Sequence, residues 1–143
     1  MSGIVLTTDL SEESQRAFAP VRNLAERADQ DVDLVAVFED LPLEPGTGTP
    51  MPVYTDPEEH ARAWSARLDE LKAEFGPRCR SAKVLRAADV ADAVVGYAEE
   101  IAAECIAMAT HGRSGLRRLL LGSVAEVVTR RSKVPVVLYP PAN

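Results

Sequence analysis

The chain is poor in cysteine, with only Cys79 and Cys105 among 143 residues. Two thiols so far apart make neither a disulfide framework nor a zinc site, and in apolar stretches each reads as a buried free thiol. Positive charge is also short. Sixteen Lys and Arg face twenty-two Asp and Glu, for a net charge of -6. Duplex nucleic acid or an anionic membrane surface is therefore not the expected partner, because the basic footprint either would need is missing. No apolar run approaches the length of a bilayer span. The first residues, MSGIVLTTDLSEES, have neither the positive segment nor the long apolar segment of a signal peptide. A soluble, cytoplasmic protein is the expectation. Catalytic patterns are absent as well: no Ser-His-Asp or Cys-His set stands in coherent positions, and no pair of carboxylates is placed for acid–base work. His60, in a helical segment beside Glu58, Glu59 and Arg62, reads as a solvated side chain.

What is present is a regular alternation. Short runs rich in Val, Ile and Leu occupy residues 4–8, 33–38, 82–85, 105–109 and 134–139, with longer segments of helical period between them. Runs that are apolar throughout, not every second residue, suggest strands covered on both faces of a parallel sheet. The intervening segments are long enough for crossover helices. Ser11 followed by Glu12 and Glu13 suggests a helix start, with Pro20 forcing a kink or a late beginning. Asp56-Pro57 opens a second helix, whose stripe of Ala61, Trp64, Leu68, Leu71 and Phe75 ends at Gly76-Pro77. Asp89 precedes a third helix with Val90, Val94, Tyr97 and Ile101 on one side. A fourth opens near Gly122-Ser123. The segment 40–56 holds Pro42, Pro45, Pro50 and Pro52 with Gly46 and Gly48, and reads as a long loop. The β-α-β-α-β-α-β-α-β order predicts one doubly wound, Rossmann-like α/β domain over residues 1–143. It has a five-stranded parallel sheet of order 3-2-1-4-5 and helices on both faces.

Ligands of such folds bind beyond the carboxyl ends of the strands, at the point where the winding reverses. Thr7, Thr8 and Asp9 follow the first strand; Thr110, His111, Gly112, Arg113, Ser114 and Gly115 follow the fourth. Gly112 and Gly115 allow close backbone approach. Gly122-Ser123 lies where free helical N–H groups and the helix dipole favour an anion, with Ser123 as cap or phosphate ligand. Arg113, Arg117 and Arg118 add positive charge. The set fits a phosphate cradle, although glycines also mark plain turns and a serine before a helix is often only a cap. It is neither a Walker A loop nor a G-x-G-x-x-G fingerprint.

The stretch from Met108 to Pro140, MATHGRSGLRRLLLGSVAEVVTRRSKVPVVLYP, closely resembles the C-terminal signature of universal stress proteins. Their ATP-binding members show Gly, two residues, Gly, nine residues, then Gly-Ser or Gly-Thr. Here the pattern runs Ala109, Thr110-His111, Gly112, nine residues, Gly122-Ser123. The stretch IVLTTDLSEES is similar to the family's first strand and turn. The resemblance implies a regulatory ATP-binding module of the stress response, usually with Mg2+, and without dedicated catalysis. By matching position, Thr8 and Asp9 would stand on the ribose side and backbone groups of Val37 would meet adenine. Met108, Ala109, Gly112, Arg113 and Gly115 would lie along the phosphates, closed by Gly122, Ser123 and Val124. It also implies a homodimer through the edge strand from Val134 to Tyr139, with Tyr139 at the boundary, and an unidentified protein partner. Ala109 replaces the motif's first glycine, and its methyl group would crowd phosphates only if that residue needs unusual φ/ψ. Thr7 replaces a common proline. A stress protein without nucleotide and a slow ATPase or nucleotidyl transferase are the alternatives. A phosphorylatable receiver is excluded, because the fifth strand ends Leu138-Tyr139-Pro140 with no lysine.

Overall fold

A computed structural model describes residues 3–39, 57–110 and 122–140. The segment 40–56 and the predicted site residues Gly112, Arg113 and Gly115, with His111, Ser114, Arg117 and Arg118, lie outside the described residues. The five strands are β1 (Gly3–Thr8), β2 (Asp31–Glu39), β3 (Cys79–Ala87), β4 (Cys105–Ala109) and β5 (Val136–Tyr139). They form one parallel sheet in the order β3-β2-β1-β4-β5. Four helices connect them: α1 (Phe18–Ala28), α2 (Pro57–Phe75), α3 (Val90–Glu100) and α4 (Ser123–Arg131).

Side chains alternate across the strands, so two cores form. Ile4, Leu6, Leu34 and Ala107 pack with Val21 of α1 and Leu68, Leu71 and Phe75 of α2. Val5, Val35, Ile106 and Met108 pack with Val94 and Tyr97 of α3 and Val128 of α4. Burial on both faces is the reason the central strands read as unbroken apolar runs.

The structure bears out the late beginning of the first helix and corrects three other sequence expectations. The first helical segment is a short 3-10 turn over Ser14–Ala17 followed by α1 from Phe18. Pro20 is the third residue of α1, in the first turn, where no helical hydrogen bond is asked of its nitrogen. β3 is longer than its apolar stretch and includes the exposed Arg80, Lys83 and Arg86. It is an edge strand, so its cations reach the surface, Arg80 bonding Asp33 and Arg86 pairing with Glu58, while the backbone still pairs with β2. β5 begins at Val136, not Val134, because the chain is still turning: the Ser132 hydroxyl bonds the carbonyl and N–H of Val134 at 2.7 and 3.2 Å. His60 is half-buried and has an interaction partner, so it is not simply solvated. Cys79 is buried and Cys105 half-buried, both as free thiols.

Three helices end on a left-handed residue. Gly76, at φ 112, follows α2 as expected. Asp29 and Ala102 take φ of 52 and 51 after α1 and α3. At Ala102 the ring closes by Ala103 N–H to the Ala98 carbonyl at 2.9 Å and Ala102 N–H to Glu99 at 3.1 Å, the six-to-one pattern that satisfies a helix C-terminus.

Candidate functional site

The winding reverses between β1 and β4, which pair through Leu6 and Ala107. Their ladder ends at that pair, although β1 runs on to Thr8 beside β2 and β4 to Ala109 beside β5. Thr110 is buried, and it joins the neighbouring elements by backbone bonds. Its N–H donates to the Tyr139 carbonyl at 3.0 Å, and its carbonyl accepts the Gly122 N–H at 2.7 Å. Thr110 and Gly122 are thereby held together at the sheet's carboxyl edge.

Gly122 caps α4 at φ -58 and ψ 154, an extended conformation that any residue can adopt. Ser123 is the first helical residue, not the cap, and the cap residue itself, a glycine, offers no side chain to the first-turn N–H groups. Those N–H groups and the positive end of the helix dipole favour an anion. α3 differs: there the Asp89 carboxylate accepts the Asp92 N–H at 3.0 Å.

Between these two helix starts opens a cleft of about 250 Å³. Glu39 at the end of β2, Asp89 as the cap of α3, Val90 of α3, and Ser123, Val124 and Arg131 of α4 are among its lining residues. Arg131 crosses from α4 to α3, where it pairs with Asp92 and reaches Asp89 at 3.7 Å. The pair is exposed, so it steers the cleft's charge more than it stabilises the fold.

The remaining expected residues divide clearly. Ala109 lies in extended backbone within β4, paired with Tyr139, and is not among the positive-φ residues. Val37 and Met108 bury their side chains in the core, so only their backbone can meet a ligand. β2 continues to Glu39 beyond its last pairing with β1, Thr8 with Ala36, and the β1-facing side of Val37 therefore has no ladder partner. The Thr8 hydroxyl points into the other face of the sheet, 2.7 Å from the Ser14 hydroxyl, so it is not directed at the cleft between α3 and α4. Asp9 accepts the Ser11 N–H at 2.9 Å and the Ser11 hydroxyl.

Leu10, Ser14, Asp89 and Arg131 were missed by the sequence reading. Leu10 adopts φ 68, a left-handed conformation rare outside glycine and asparagine, directly after Asp9. Ser14 had a signal: it stands at helical spacing before Ala17, Phe18 and Val21, so a polar residue occupied the apolar stripe. Burial pushes the Tyr139 phenol up, with the neighbouring Cys105 adding to the effect. Among the described residues no group of three His, Cys, Asp or Glu could hold a metal ion, and no helix is long and apolar enough to cross a membrane.

The universal stress protein family matches residues 1–140. A universal stress protein of Methanocaldococcus jannaschii is 30% identical over 137 residues, covering 94% of this chain and 79% of its own. A universal stress protein solved in complex with cAMP is 22% identical, with a TM-score of 0.67 over 99% of this chain and 98% of the other. One from Archaeoglobus fulgidus, solved in complex with dAMP, is 21% identical, with a TM-score of 0.62 over 96% and 97%.

Proposed function

The chain belongs to the universal stress protein family, and from that premise we propose that it is a cytoplasmic ATP-binding regulatory module without dedicated catalysis. The observation that carries this reading is the glycine-capped start of α4, tied through Gly122 to Thr110 at the carboxyl edge of the sheet. Helical N–H groups and the helix dipole together favour an anion there. Structural neighbours with cAMP or dAMP bound support a nucleotide as the source of that anion.

In this reading the first-turn N–H groups of α4 and the Ser123 hydroxyl hold phosphate. Free backbone at Val37 meets the adenine edge, and the Asp9 carboxylate accepts from ribose hydroxyls. Ala109 follows the phosphates from extended backbone, with Gly112, Arg113 and Gly115 completing the loop. Magnesium would come with the triphosphate and offset part of its charge, and no acidic cluster among the described residues fixes a place for it. Two copies join through β5, and a protein partner reads the occupied state. The two sheet edges differ in the way this requires. β3 carries exposed Arg80, Lys83 and Arg86, whereas β5 is Val136, Val137, Leu138 and Tyr139, all half-buried. Cations blunt an edge against pairing; an apolar edge invites it.

Thermal unfolding with ATP, ADP, AMP and cAMP, with and without magnesium, tests the reading. Ligand at one hundred times its Kd stabilises by about 2.7 kcal/mol, or about 9 °C for a domain of this length. Millimolar ATP that leaves Tm unmoved would sink it. Gly122→Val is expected to abolish the shift with the fold intact, since the extended backbone at 122 suits a β-branched residue. Sedimentation equilibrium is expected to give twice the chain mass.

A further inference from the structure

The turn after β1 contains more hydroxyl groups than a connection of its length needs, and each hydroxyl proton can be assigned. A serine or threonine hydroxyl donates once. The Ser14 hydroxyl donates to the Ser11 carbonyl at 2.8 Å. In its 2.7 Å contact with Thr8 it must therefore accept, and the Thr8 hydroxyl donates. Thr8 Oγ1 in turn accepts the Leu10 N–H at 3.0 Å. The Ser11 hydroxyl accepts the Ser14 N–H at 3.2 Å and donates to Asp9 Oδ1, which also takes the Ser11 N–H. The bonds run from a buried pair, Thr8 and Ser14 at 4% and 5% exposure, out to a half-buried carboxylate.

The turn is also strained. Leu10 holds φ 68 between Asp9 and Ser11, and a strained residue persists only where its surroundings over-determine it. Here the bonds to Thr8 and Asp9 on either side of Leu10 do so. A simple connection between β1 and the 3-10 turn could have used a glycine at this position without strain.

We propose that Ser11 is a positioning residue that sets the ribose selectivity of the nucleotide site by fixing the orientation of the Asp9 carboxylate. The proposal rests on the nucleotide reading above. Two donors on one oxygen, both from Ser11, lock both side-chain torsions of Asp9. A carboxylate held in one orientation accepts from a sugar hydroxyl without first losing rotamer freedom, and it rejects a sugar that lacks the hydroxyl. Ser14 and Thr8 anchor Ser11 from the core side.

The test is calorimetric titration of ATP, 2′-deoxyATP and 3′-deoxyATP into the full chain, Ser11→Ala, Ser11→Thr, Asp9→Ala and the double alanine variant. The unaltered protein is expected to prefer ATP over at least one deoxy analogue by about tenfold or more, as for a hydrogen bond to a charged group. Ser11→Ala should narrow that ratio nearly to the Asp9→Ala value, and Ser11→Thr should keep it. Adding Ser11→Ala to Asp9→Ala should change nothing further. A purely structural role would lower Tm and leave the ratio alone. An unchanged ratio in Ser11→Ala overturns the proposal while the nucleotide reading stands; an unaltered protein that binds no ATP overturns both. Should Ser11→Ala fail to fold, Ser11→Val keeps the shape of Ser11→Thr without the hydroxyl that bonds Asp9. It must narrow the ratio too, and an unchanged ratio there is equally fatal.

Discussion

Replacing Ala109 by glycine restores the residue that ATP-binding relatives carry at that position, and the geometry predicts that affinity will not improve. Ala109 closes β4 in extended backbone, paired with Tyr139, so no left-handed conformation is waiting for a residue without a Cβ. Glycine there adds unfolded-state freedom and removes a half-buried methyl group, costs of about 0.5–1 kcal/mol and less than about 0.8 kcal/mol respectively. Taking about 1 kcal/mol as the sum, and about 2.1 cal/mol/K of unfolding entropy per residue, Tm falls by about 3 °C. Calorimetric titration with ATP should show Kd unchanged within about twofold, since a stability loss of this size far below Tm hardly changes the native population. The reasoning fails if Ala109→Gly binds ATP about tenfold more tightly. That outcome would mean that the methyl group stands against the phosphates and that the chain is a relative with an impaired cradle.

The left-handed helix ends make a matched pair. Ala102→Gly relieves an exposed positive-φ residue and should raise Tm by about 2–3 °C, while Gly76→Ala, although nothing lies within 4 Å of the added carbon, should lower it by a similar or larger amount. Asp33 is buried at 4% exposure, with bonds from Arg80 at 2.8 Å and from the Ser81 hydroxyl. Arg80→Ala should cost more than Asp33→Ala in urea unfolding, about 2–3 against 1–2 kcal/mol, because only the first leaves a buried charge without its counterion. Burial raises the Cys79 and Cys105 thiols. Their folded forms therefore hold protons that the unfolded chain releases above roughly pH 8.5. The neutral-thiol contribution is complete below that pH and is lost as pH rises toward the folded values. Between pH 8 and 10 the chain should lose stability, and Cys79→Ala with Cys105→Ala should flatten the slope; an identical slope in the double variant would refute the assignment.

The fold was legible because its determinants are local and repetitive. Strands covered on both faces need long apolar runs, and β1 with Ile4, Val5 and Leu6, β2 from Leu34 to Phe38 and all of β4 have them. Pro57 with Glu58 and Glu59 started α2, and Gly76 stopped it, through backbone rules that involve no distant neighbour. The site was half legible for the same reason. The Gly122-Ser123 pair and Asp9 stand out by spacing beside the strands they follow, and β1 does neighbour β4 as the winding requires.

What only the tertiary structure decided is long-range or backbone-conformational. Arg80 and Asp33 lie 47 residues apart and meet only because β3 pairs with β2. Arg131 and Asp92, 39 apart, meet because α3 and α4 share one face of the sheet. The left-handed Leu10 and Ala102 carry side chains that ordinarily avoid that conformation. Packing and hydrogen bonds impose it, and no spacing rule reports a cost met elsewhere in the fold. The hydroxyl bonds from Thr8 through Ser14 and Ser11 to Asp9 belong to the same class. Their residues are close in sequence, but the direction of each bond depends on which hydroxyls are buried, and burial is a property of the packed sheet.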